Sequence, residues 1–128
     1  MAGSVLLVDA DAQVRHLVES ACSDLSLSVT MAGTFDEASQ AIQASPPDVV
    51  LLDMGPLGGA GLAMLDQLRS RWPKLCAVLI AERARSDQAI EAIKHGAIDY
   101  LLKPLRREDL VNHLKNALRI SHDMTVPT

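Results

Sequence analysis

No apolar run in the sequence approaches the ~20 residues needed to span a bilayer, and no secretory-signal pattern follows Met1–Ser4. Cysteine is scarce. Cys22 and Cys76 stand far apart with no Cys-x-x-Cys, which excludes a disulfide framework or a zinc site and predicts two buried free thiols in a reducing cytoplasm. A basic excess is also missing: 12 Lys+Arg face 16 Asp+Glu, for a formal charge of -4. That sign excludes a stand-alone nucleic-acid binder, which needs a basic face. Only three aromatics occur, Phe35, Trp72 and Tyr100, so any core must be built from Leu, Val, Ile, Ala and Met. Those aliphatics are abundant. With 48% hydrophobic and 22% charged residues the chain is not of the disordered class, and 128 residues suit one domain that needs no covalent staples. The expectation is an acidic, soluble, cytoplasmic module without membrane association.

Short β-like runs alternate five times with amphipathic helical patterns. The predicted strands are Val5–Val8, Leu27–Met31, Val49–Leu52, Ala77–Ile80 and Tyr100–Leu102. Most are continuous apolar runs, the pattern of strands covered on both faces in a parallel sheet. After Asp11, the residues Val14, Leu17, Val18, Ala21, Cys22 and Leu25 keep to one helix face. Thr34-Phe35-Asp36-Glu37 forms a capping box, with Phe35, Ala38, Ala41 and Ile42 expected inside. A third helix runs from about Leu62 to Arg71 and stops before Pro73. The fourth starts at Ser86, is expected to bury Ala89, Ile90 and Ile93, and ends at Gly96 as its C′ residue. The fifth carries Leu110, Val111, Leu114, Ala117 and Leu118. Past Ile120 the pattern fades, so residues 1–120 are read as the domain and 121–128 as a linker or chain end. Five βα units with right-handed crossovers give a doubly wound α/β sandwich, whose chemistry sits beyond the C-terminal ends of the strands.

Those ends carry charge. Asp9-Ala10-Asp11 follows the first strand, Asp53 the third, Ala81-Glu82 the fourth and Lys103-Pro104 the fifth. Each of these is singly explained as a solvated loop residue. Asp9, Asp53 and Lys103 together, at one sheet edge, suit a hard divalent cation and a phosphoryl group: carboxylates hold the metal, and the metal and ammonium neutralise phosphoryl oxygens. Other signals are weaker. Gly55, Gly58, Gly59 and Gly61 lack the Gly-Lys-Ser/Thr ending of a phosphate loop. His16, His95, His113 and His122 show no metal-ligand spacing. Arg83, Arg85, Arg106 and Arg107 fit a partner-facing patch or solvated helix starts equally well.

The segments Val5–Asp9, Pro47–Asp53 and Gly96–Pro104 resemble the receiver domain of two-component response regulators over about residues 4–120. The wording Gly-Ala-x-Asp-Tyr-Leu-x-Lys-Pro is similar to receivers of sigma-54-dependent transcriptional activators. The resemblance implies a flavodoxin-like α/β fold: a doubly wound five-stranded parallel sheet in the order 2-1-3-4-5 with five helices. It also implies a non-enzymatic module that takes a phosphoryl group on Asp53 from a sensor histidine kinase. At most the module catalyses its own phosphotransfer and dephosphorylation. Asp9, Asp53 and the Gly55 carbonyl would hold Mg²⁺, Lys103 would hold a phosphoryl oxygen, and positions 81 and 100 would form the switch. The implied partners are the kinase, a C-terminal effector or partner transcription factor, and a second copy meeting through the fourth helix and fifth strand.

Departures from the family pattern carry their own expectations. Ala10 stands where the family has a second acidic metal ligand, so Mg²⁺ binding should be weak. Asp11 either replaces that ligand or caps the first helix. Ala81 replaces the hydroxyl residue that bonds the phosphoryl group, weakening the coupling to Tyr100 and leaving room for that ring to rest inward. Glu82 replaces a small residue and brings negative charge toward an aspartyl phosphate. These changes keep a second reading open, a degenerate pseudo-receiver acting by protein contact without phosphorylation. A third reading rests on Asp9-Ala10-Asp11, which resembles the Asp-x-Asp of haloacid-dehalogenase-type phosphatases, with Asp9 as nucleophile and Asp11 as general acid. The residues that follow, Ala12 and Gln13, are not those of that motif.

Overall fold

A computed structural model describes residues 3–8, 11–54 and 59–125. Five strands alternate with five helices: β1 (Ser4–Val8), α1 (Ala12–Asp24), β2 (Ser28–Ala32), α2 (Phe35–Ala44), β3 (Val49–Asp53), α3 (Gly59–Arg71), β4 (Ala77–Glu82), α4 (Ser86–Lys94), β5 (Asp99–Lys103) and α5 (Arg107–Thr125). A short 3₁₀ turn, Arg83–Arg85, leads into α4. All strand pairs are parallel, and the order is β2-β1-β3-β4-β5, as expected from the sequence. Chain order reverses between β1 and β3, which marks the switch point where α/β sheets bind ligands.

Alternation of side chains along each strand divides the core into two layers. Val5, Leu7, Val49, Leu51, Val78, Ile80 and Leu101 point to the layer closed by α1 and α5. Leu6, Val8, Val50, Leu52, Ala77, Leu79 and Ala81 point to the layer closed by α2, α3 and α4. The three inner strands are buried on both faces, whereas the edge strands β2 and β5 are partly exposed. Their unbroken apolar runs therefore have the physical cause inferred from the sequence.

Helix ends follow local chemistry. The Asp11 carboxylate accepts from Val14 N at 2.9 Å and caps α1, and the Thr34 hydroxyl accepts from Glu37 N at 3.1 Å to cap α2. Gly96 follows α4 at φ +102, and Ala97 N donates back to Ala92 O, as a C′ glycine requires. A side chain at position 96 would also collide with the Arg69 guanidinium, whose Nε lies 2.3 Å from where a Cβ would stand.

Three helices differ from expectation: α3 begins at Gly59, a turn ahead of Leu62, and α4 and α5 depart as follows. In α4 the buried residues are Ala89 and Ala92, while Ile90 and Ile93 are 56% and 42% exposed. The small side chains form the inner stripe and bring the helix close to the sheet, which rotates the isoleucines outward. Helix α5 continues through Thr125, beyond the fading of its apolar pattern at Ile120. Ser121, just past that point, is buried and hydrogen-bonds the Cys76 thiol. Both cysteines are buried thiols outside any disulfide among the described residues, and desolvation raises the Cys22 thiol to about 11. Among the described residues, no helix is long and apolar enough to cross a membrane.

Candidate functional site

Sheet register brings the charged strand ends to one edge. Asp53 pairs with Ile80 across β3–β4, and Lys103 pairs with Glu82 across β4–β5. Parity then decides the face: Asp53 follows Val49 and Leu51, Glu82 follows Val78 and Ile80, and Lys103 follows Leu101. All three therefore project toward the α1/α5 layer, where Asp11 stands at the start of α1. The Lys103 ammonium lies 2.9 Å from Asp11 Oδ2, 3.1 Å from Asp53 Oδ2 and 3.6 Å from Glu82 Oε1.

Exposure differs sharply across this cluster. The Asp53 side chain is 1% exposed and that of Lys103 14%, against 52% for Asp11. Asp53 is thus a carboxylate held at the floor of the site with a cation above it. Burial alone would lower the Lys103 pKa, but hydrogen bonds with Asp11 and Asp53 outweigh it and raise the ammonium above its ordinary value. Asp11 is held below the ordinary carboxylate value, first by the Val14 amide and then by Lys103. Both groups stay ionised through the physiological range.

The two roles weighed for Asp11 resolve as follows: one oxygen caps α1 and the other engages Lys103. With both oxygens committed, Asp11 is not poised as a general acid, which removes support for the phosphatase reading. Asp9, Ala10 and Gly55 lie outside the described residues. The hard carboxylate oxygens of Asp53 and Asp11 suit a divalent cation in kind. Among the described residues, however, no group of three His, Cys, Asp or Glu is arranged to hold one. The three carboxylates at Lys103 converge on an ammonium instead.

Ala81 is fully buried on the opposite face from Asp53, in the layer with Leu79 and Leu102. Tyr100 does not rest inward as expected. It is 37% exposed on the edge strand β5 and lines an open cleft with Arg83, Arg106 and His113. Among the described residues β5 is the edge of the sheet, which leaves the ring at the surface. Behind Asp53 the chain is tightly constrained: Met54 N donates to Ile80 O, and a Cβ at Gly61 would come within 2.9 Å of Met54 Cγ.

Sequence reasoning missed two histidine–carboxylate pairs outside the site. His95 Nδ1 lies 2.7 Å from Asp66 Oδ1, and His113 Nδ1 lies 2.5 Å from Asp99 Oδ2. Each links neighbouring elements, and neither has a signal in local spacing. Glu82 stands at the edge where the sequence put it, and the Val78-x-Ile80-x-Glu82 alternation adds what was not read there, its approach to Lys103.

Comparison with known proteins agrees with this geometry. A family model described as the response regulator receiver domain matches residues 5–115. The DNA-binding transcriptional regulator NtrC of Escherichia coli (strain K12) is 34% identical over 120 residues, covering 94% of this chain and 25% of that protein. Regulatory protein LuxO of Vibrio cholerae is 30% identical over 113 residues, covering 88% of this chain and again 25% of the relative. The chain thus spans about a quarter of the length of these curated relatives. The crystal structure of NtrX from Brucella abortus superposes with a TM-score of 0.87 at 32% identity, covering 97% of this chain and 28% of that one. The structure of its receiver domain alone gives a TM-score of 0.82 over 90% of this chain and 98% of that one.

Proposed function

Because this chain belongs to the receiver domains of response regulators, we propose that it accepts a phosphoryl group on Asp53 from a sensor histidine kinase and thereby regulates a transcriptional effector, attached or separate, in the cytoplasm. The observation that carries this reading is the buried Asp53 carboxylate with the Lys103 ammonium 3.1 Å away at the switch-point edge of a parallel sheet. In the transfer an Asp53 oxygen forms a bond to phosphorus while the phosphorus–nitrogen bond of the donor phosphohistidine breaks, its electron pair leaving with the imidazole. Lys103 offsets the charge on a phosphoryl oxygen. Asp9 and Asp53, with the Gly55 carbonyl, would hold Mg²⁺, which supplies screening between the carboxylate and the incoming anion. Receiver domains generally bind Mg²⁺ at this place. For this chain we infer weaker binding, because Ala10 offers no carboxylate.

The exposed Ile90, Ile93 and Tyr100 on α4 and β5 support this face as the contact for a second copy or for the effector. A second reading, protein contact without phosphorylation, draws support from Ala81, which has no hydroxyl, and from the Glu82 charge at Lys103. Intact mass after treatment with a small phosphodonor and Mg²⁺ separates the two. A single phosphoryl adduct that disappears in Asp53→Asn is expected. An adduct that survives that change and maps to Asp9 would return the phosphatase reading, and no adduct would favour the contact-only module.

A further inference from the structure

We propose that Asp11 and Glu82 are intramolecular competitors for the Lys103 ammonium, holding it in the resting molecule against the phosphoryl oxygen it would engage. This rests on the reading of Asp53 as the phosphoacceptor. An ammonium has three N–H donors and no acceptor. Here it faces three carboxylates, at 2.9 Å from Asp11, 3.1 Å from Asp53 and 3.6 Å from Glu82. Asp11 and Asp53 lie within hydrogen-bond reach of the ammonium and Glu82 just beyond it, so a phosphoryl oxygen on Asp53 would meet the lysine in competition with the Asp11 and Glu82 carboxylates.

The two competitors are held differently. Asp11 has its other oxygen fixed by the Val14 amide at 2.9 Å, so the helix cap already aims the carboxylate and little side-chain freedom is lost in keeping it on the lysine. Glu82 lies opposite Lys103 in the parallel register and on the Asp53 face of the sheet, at the longer distance. Asp11 is the stronger competitor and Glu82 the weaker. Both are positioning residues that act through Lys103. Because both are anions near the acceptor, each also repels an incoming phosphoryl group, so the two effects have the same sign.

The test uses substitutions that remove charge and keep shape. Asparagine caps helices about as well as aspartate, so Asp11→Asn preserves α1 while releasing the lysine. Glu82→Gln does the same on β4. Beryllofluoride binding in the presence of Mg²⁺ is measured as a mimic of the aspartyl phosphate. Asp11→Asn should tighten it by about two- to fivefold, the range of a partly exposed ion pair, Glu82→Gln by less, and the double variant by more than either. In a Lys103→Gln background the same Asp11→Asn change should give a smaller gain or none, a dependence that a purely structural role for Asp11 would not produce. Binding that Asp11→Asn leaves unchanged or weakens overturns the proposal, weakening being the result expected of a metal ligand. If no variant binds beryllofluoride, including the double, the phosphoacceptor reading fails and the competition with it.

Discussion

Asp11 uses both carboxylate oxygens, one on the α1 amide and one on Lys103, so the proposed weak Mg²⁺ binding is best tested at its neighbour. An additional carboxylate at position 10 would restore a charge-assisted contact. Unit charges ~4 Å apart at an effective dielectric of ~20 interact by about 4 kcal/mol before desolvation, and a third of that net is roughly tenfold in affinity. Ala10→Asp should therefore tighten Mg²⁺ binding about tenfold by calorimetric titration. An unchanged constant would show that Ala10 does not limit the site. Asp53 and Lys103 could be read from sequence because each ends an apolar strand at a fold-determined edge. The Asp11–Lys103 pair could not, since nothing local joins residues that meet only where the helix start after β1 and the end of β5 share one sheet edge.

Element by element, the sequence was most informative where one strong pattern acted alone. The continuous runs of β1, β3 and β4 and the caps of α1 and α2 appear where expected. In α4 two patterns competed. Isoleucines outrank alanines in hydrophobicity, but close packing on the sheet selected the alanine stripe, and Ile90 and Ile93 turned out to solvent. The same helix bears on signalling. Ala81 lies on its face of the sheet and offers no hydrogen bond to a phosphoryl group, a contact to a charged group worth about 1.5–3 kcal/mol. A ligand shifts a conformational equilibrium only through contacts that differ between the states. Beryllofluoride should thus produce only small amide shifts over Ile90–Lys103, growing in Ala81→Thr. Large cooperative shifts reaching Tyr100 in the unaltered protein would show another route of coupling.

At the scale of the whole molecule, the sheet acts as a partition. The Asp53–Lys103 cluster stands on the α1/α5 side, whereas Tyr100, Ala81 and α4 belong to the other, so any coupling between Asp53 and the exposed isoleucines has to cross the sheet rather than travel along one surface. The two layers also differ in their natural spectroscopy. Trp72, the single tryptophan, packs against the α2–α4 layer, with the Arg71 guanidinium 4.9 Å from its ring centroid. Cys22 is buried in the α1/α5 layer. Each half of the protein therefore contains its own built-in observer: indole emission for one, thiol accessibility for the other. For a domain this small, unfolding in urea should give coincident midpoints from both. If the thiol opens before the emission changes, the layer beneath Asp53 and Lys103 would melt as an independent unit, and the sheet that divides the two layers would also be the line along which the fold comes apart.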